Sequence, residues 1–120
     1  MTKKEAVAYA LSLKGAEETY PFDESTLVFK VSGKMFGLVY EKNGDVGLNL
    51  KCDPDFAQVL RQQYEGIFPG YHMNKKHWNT VLFGSDVPDD EIVNLLNLSY
   101  EIVFKSLTKK LQRELDTTHG

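Results

Sequence analysis

A chain of 120 residues has the size of one ordinary domain, and a hydrophobic share of 42% with 12% aromatics is enough for a single core without staples. The formal net charge of −3 excludes a generally basic, nucleic-acid-coating surface. One cysteine, Cys52, excludes an internal disulfide, and the N-terminal apolar run is too short and interrupted for a membrane span or a secretory leader. A cytoplasmic, monomeric, one-domain protein over residues 1–116, with 117–120 as a frayed tail, is the expectation.

Thr2-Lys3-Lys4-Glu5 reads as a capping box, and Ala6, Ala10 and Leu13 then recur at helical spacing up to Gly15. This predicts a first helix from about Thr2 to Lys14. Glu17 to Ser25 reads as a loop around Pro21, with Tyr20 and Phe22 folded over one end of a sheet. Thr26–Val31, Lys34–Tyr40 and Val46–Lys51 are rich in β-branched and aromatic residues, and Ser32-Gly33 and Asn43-Gly44 supply the turns of an antiparallel meander. Asp53-Pro54 opens a second helix, with Phe56, Ala57 and Leu60 inward and Arg61 outward. Ile67–Met73 and Trp78–Phe83 are two further strands, Pro69 confining the first to an edge or a bulge. Asp86-Val87-Pro88-Asp89 opens a last helix that keeps its apolar stripe from Ile92 through Leu115. The order αβββαββα predicts an α+β two-layer sandwich: an antiparallel sheet with helices on one face.

The segment Gly66–Val81 concentrates the functional signal. It holds the only Trp, two of three His, a Lys pair, two Asn, and the rings of Phe68 and Tyr71. Lys75 and Lys76 suit phosphate neutralisation, His77 and Asn79 suit donation to phosphate or base edges, and Tyr71 suits stacking. For Trp78 a place in the core is favoured over a stacking role. Lys30 and Lys34 flank the Ser32-Gly33 turn and, with Lys51, form a second basic set, so that two hairpin tips would present positive charge like a pair of wings. Charge is unevenly distributed: residues 26–85 carry a net +2, whereas residues 86–104 carry five acids and no base.

Other chemistries find less support. Cys52, Asp53, His72, His77 and His119 are the available metal ligands, but no spacing among them matches a known site, so neither a metal nor a cofactor is expected. No nucleophile-elbow, P-loop or dinucleotide glycine pattern occurs. Cys52 precedes a helix N-terminus, which would lower its thiol pKa if exposed, yet a lone Cys at a strand end is more often a small buried hydrophobe. No enzyme is expected.

The motifs L-S-L-K-G-A-E-E-T-Y-P-F-D (Leu11–Asp23), T-L-V-F-K-V-S-G-K-M-F (Thr26–Phe36), L-N-L-K-C-D-P (Leu48–Pro54), P-G-Y-H-M-N-K-K-H-W-N-T-V (Pro69–Val81) and D-V-P-D-D (Asp86–Asp90) together resemble the MmcQ/YjbR family of small bacterial proteins. The resemblance implies a frataxin-like (CyaY-like) fold and double-stranded DNA binding through two wing-like elements. Lys75, Lys76, His77 and Asn79 would form the contact surface, with Lys51 and Tyr71 beside them. Iron binding is set aside, because the first helix lacks the dense acidic ridge of iron-binding frataxin-like proteins. The alternative is a protein-interaction or anionic small-ligand module using the same segment. An open ridge at Tyr71, His72 and Trp78 favours the first reading, a concavity the second.

Overall fold

The structure is a computed structural model and describes residues 1–119. Its elements are α1 (Lys3–Leu11), β1 (Ala16–Thr19), β2 (Val28–Val31), β3 (Lys34–Lys42), β4 (Asp45–Lys51), α2 (Pro54–Gln63), β5 (Ile67–Pro69), β6 (Trp78–Leu82), α3 (Asp89–Ser106) and α4 (Lys109–His119). Six strands form one sheet in the order β1-β2-β3-β4-β6-β5, antiparallel at every pairing. An α+β fold with helices against one sheet face is what the pattern predicted. The element order differs in two places.

The first difference is β1. Ala16-Glu17-Glu18-Thr19 lacks apolar alternation and reads as loop, but Gly15, at φ +72°, turns the chain so that Ala16 pairs with Val31 and Thr19 with Val28. The second is the break at Leu107. The last helix divides there, and α4 starts behind Thr108, whose hydroxyl accepts from Leu111 N at 3.2 Å. Helix α4 then folds back so that Leu115 lies over Gly15, where a Cβ would come 2.3 Å from a Leu115 methyl. It is helical to His119, through the residues expected to fray; Gly120 lies outside the described residues.

The core sits between sheet and helices. Phe29, Val31, Phe36, Leu48, Leu50 and Val81 from the strands meet Ala6, Ala10, Leu60, Ile92, Leu96 and Val103 from the helices. Ser99 fixes α3 to the sheet centre: its buried hydroxyl donates to Phe36 O at 2.6 Å and accepts from Lys51 N at 2.8 Å. Among the described residues no helix packs on the other sheet face. A smaller apolar cluster of Val28, Leu38 and Trp78, flanked by Met35 and Met73, covers part of it. Among the described residues no helix is long and apolar enough to cross a membrane.

Candidate functional site

Strand register decides which predicted side chains share the open face. Partners across an antiparallel ladder point the same way, and Val28–Leu38 and Lys51–Trp78 are such pairs. Lys30, two residues after Val28, therefore also belongs to this face, as does Lys51. Both lie at the end of the sheet where β6 begins. The connection from β5 to β6 brings Lys75, Lys76 and His77 to the same end, and Cys52 N donates to His77 O at 2.8 Å just beyond the ladder. Among the described residues, Lys30, Lys51, Lys75 and Lys76 form no ion pair; the four pairs present engage Met1, Lys3, Lys14 and Lys105 instead. Two acids stand by this group: Glu17 opposite Lys30 in register, and Asp53 two residues after Lys51.

Three predicted contacts do not join this group. Asn79 is 2% exposed: it pairs with Leu50 on the core face, its Oδ1 accepts from Arg61 Nε at 2.6 Å, and its Nδ2 donates to Ala57 O at 3.4 Å. It is a buried tie, not a surface donor. Lys34 pairs with Val31 on the helix side, and its Nζ approaches Ser106 O and Oγ at 3.4 and 3.5 Å. The turn with Lys30 therefore presents one lysine to each face. Tyr71 leaves the basic end altogether.

It does so because the predicted strand Ile67–Met73 stops at Pro69. Beyond Gly70 the chain folds back across the open face. Tyr71 N donates to Thr80 Oγ1 at 3.0 Å, and Asn49 Nδ2 donates to Tyr71 O at 3.4 Å. Thr80 Oγ1 in turn donates to Asn49 Oδ1 at 2.5 Å. His72 sits in the left-handed region at φ +58°, with its ring 4.0 Å from that of Tyr71. Such a backbone is uncommon for a residue other than Gly, and His is among the few side chains, with Asn and Asp, that adopt it more readily. Tyr40 meets Tyr71 edge-on at 5.7 Å, and Lys42 Nζ stands 4.3 Å over the Tyr71 ring.

Between this folded-back turn and the Tyr20–Ser25 loop lies a cavity of about 650 Å³, lined by Phe22, Tyr40, Asn49, Tyr71, His72 and Met73 among others. Tyr71 and His72 thus line a concavity rather than a ridge, the outcome that favours ligand binding at this part of the face; Trp78 is not among the lining, and the lysine group stands apart from it. Trp78, 7% exposed, is in the apolar cluster alongside it, as favoured from the sequence. The loop over the cavity is locked by Asp23, whose carboxylate accepts from Ser25 N at 2.9 Å and Thr26 N at 2.6 Å; these bonds hold its pKa below the ordinary value.

Arg61 was read as an outward-facing residue, and the structure corrects this. Its guanidinium spans from Asn79 Oδ1 to the carbonyls of Lys75 and Trp78, fastening the basic loop to α2. No spacing rule reveals such a bond, because its partners lie 14 to 18 residues away, in the β5–β6 connection and the first residues of β6. Cys52 is buried, and burial followed by the charge of Asp53 raises its thiol to about 11.

Residues 11–102 match the YjbR family. The chain belongs to that family. The uncharacterized protein YbdF of Escherichia coli O157:H7 is 40% identical over 106 residues, 88% of this chain and 87% of YbdF. The uncharacterized protein YjbR of Escherichia coli K12 is 32% identical over 115 residues, 96% of this chain and 98% of its own. Among solved structures, Deinococcus radiodurans protein DR2400 is similar with a TM-score of 0.87 at 38% identity, covering 96% of this chain and 88% of that one. A Pseudomonas syringae protein follows at 0.74 and 27%, covering 85% and 98%. The YjbR match contains the sheet, both loops around the cavity and the basic end, and it stops within α3.

Proposed function

We propose that this YjbR-family protein is a non-catalytic module of frataxin-like (CyaY-like) architecture that holds double-stranded DNA by its phosphates, with little sequence preference. The observation that carries the reading is the gathering of Lys30, Lys51, Lys75 and Lys76, with His77, at one end of the open sheet face, free of ion pairs among the described residues. The turn after Lys30 and the loop from Asn74 to His77 supply the two wing-like edges. The lone buried Cys52 fits a reducing, cytoplasmic setting, and its raised thiol supplies no nucleophile at neutral pH.

Four phosphate contacts on duplex DNA make log K fall against log salt with a slope of about −3.6, and each lysine removed lowers that slope by about 0.9. Titration of a labelled duplex with the wild type and with the triple variant Lys51→Ala, Lys75→Ala, Lys76→Ala, at several salt concentrations, measures both. A slope near zero for the wild type, or a triple variant that binds as the wild type does, refutes the proposal.

A further inference from the structure

We propose that the open-face cavity is a binding site for a planar heteroaromatic ring of the nucleobase kind. The inference is separate from the lysine group and does not rest on it. A volume of about 650 Å³ falls in the range of about 300–1,000 Å³ typical of small-molecule sites. Its walls are flat rings. Tyr71 and His72 stand on one side, with Tyr40 behind Tyr71; Phe22 stands on the opposite loop with 66% of its surface in water. A large apolar side chain held this far out beside a ring-lined hollow offers a stacking surface that nothing in the fold covers.

The hydrogen-bond network assigns the polar end. The Thr80 hydroxyl accepts from Tyr71 N, so its own hydrogen goes to Asn49 Oδ1. That orients the buried amide with Nδ2 toward the Tyr71 carbonyl, a bond of 3.4 Å that engages one of its two hydrogens. The other remains for an acceptor in the cavity that Asn49 lines, such as a ring nitrogen or an exocyclic carbonyl. Of the charged residues that line the cavity, Lys3 Nζ pairs with Glu41 Oε1 at 2.5 Å, and the Lys42 ammonium beside the cavity is engaged by the Tyr71 ring at 4.3 Å. Recognition therefore falls to stacking and to this donor, which favours a neutral heterocycle over an aliphatic anion. The ring of His72 already lies 4.0 Å from that of Tyr71 in the fold itself.

Such a ring has two sources: a free nucleotide-like metabolite, or an unpaired base of a nucleic acid strand, since a base inside a duplex stack is out of reach. The probes are adenosine and thymidine monophosphates, ribose 5-phosphate as the base-free control, single-stranded oligothymidylate, and a duplex. We expect the nucleoside monophosphates to bind about tenfold or more tighter than ribose 5-phosphate, the scale of one stacked base. Phe22→Ala and His72→Gly, both changes of exposed side chains, should each reduce that affinity about fivefold or more, while the double variant Lys51→Ala, Lys76→Ala, which leaves the Lys75 Nζ bond to Gly70 O in place, keeps it unchanged. Single-stranded oligothymidylate that binds tighter than thymidine monophosphate, with no competition by duplex, supports a strand as the source; a free monophosphate that binds as tightly as the oligothymidylate or tighter supports a metabolite. Base-bearing probes that bind no better than ribose 5-phosphate overturn the site. So does an affinity that both ring variants leave intact, whatever the duplex titration shows.

Discussion

The thiol of Cys52 is 5% exposed where β4 hands over to α2. Desolvation, and then the neighbouring Asp53 carboxylate, raise it from the ordinary 9.0 to about 11, outweighing the opposing pull of Arg61. At pH 8 the thiolate fraction falls by about a hundredfold relative to an ordinary thiol, so iodoacetamide should label the native protein at least about a hundredfold more slowly than the urea-unfolded chain. The linkage runs in the same direction. Between about pH 9 and 11 the unfolded chain releases this proton and the folded one keeps it, so the group costs no stability below pH 9 and an increasing amount above it. Urea unfolding of Cys52→Ser against wild type should give a shallower loss over that window. Native labelling as fast as the unfolded rate would show the thiol to be open. The helix start after Cys52 is legible in Asp53-Pro54, and the burial favoured for a lone Cys at a strand end is what the structure has.

At the scale of elements, the loop from Gly70 to His77 depends on α2. It is held by the Arg61 guanidinium, which donates to Lys75 O within the loop and to Trp78 O and Asn79 Oδ1 just after it, and by Lys75 Nζ, which donates to Gly70 O at 3.0 Å. Arg61→Ala removes the donor that satisfies the buried Asn79 oxygen, and an unsatisfied buried acceptor costs about 1–3 kcal/mol. We expect Arg61→Ala to lower stability by about 2 kcal/mol and to weaken duplex binding beyond the loss of one charge, because the lysines lose their fixed loop. Chemical denaturation and the salt titration check the two effects; a variant as stable as the wild type would remove Arg61 from that role. Legibility follows how local the cause is. Asn43-Gly44 was readable as a hairpin turn because both residues take positive φ, here +53° and +87°. Strand β1 was not, since two exposed glutamates give no alternation and only pairing with β2 makes it a strand. The α3–α4 break is masked in the sequence, although Thr108 can cap a helix, because Leu107, Leu111 and Leu115 continue the apolar stripe across it. Asn79 was placed on the surface by its company in K-K-H-W-N, but strand alternation turns it inward.

For the whole molecule, a net charge of −3 matters less than where the charges stand. The lysines gather where β4 ends and β6 begins, while Asp86, Asp89, Asp90 and Glu91 occupy the opposite end, between β6 and the first turn of α3. There Asp89 pairs with the terminal amine of Met1 at 2.8 Å, and Asp86 clasps the connection into β5 by accepting from Glu65 N at 2.7 Å and Gly66 N at 2.8 Å. Backbone donors of this kind favour the ionised carboxylate, and they hold Asp86 below its ordinary 3.8, as they do Asp23 over the cavity; Glu5 in the capping box of α1 is lowered in the same way. A lowered folded pKa gives stability that is complete above the unfolded value and is lost as pH falls through the folded one. Stability should therefore hold from neutrality down to about pH 4 and decline below it, as protons reach these three groups at three separate joints of the fold. Asp86→Asn should be less stable than wild type at pH 7, and its acid decline should be shallower, so that the two curves converge toward pH 2. Thermal melts of both proteins across that range test the clasp, and parallel curves with a constant offset would show that Asp86 acts by size and polarity rather than by charge.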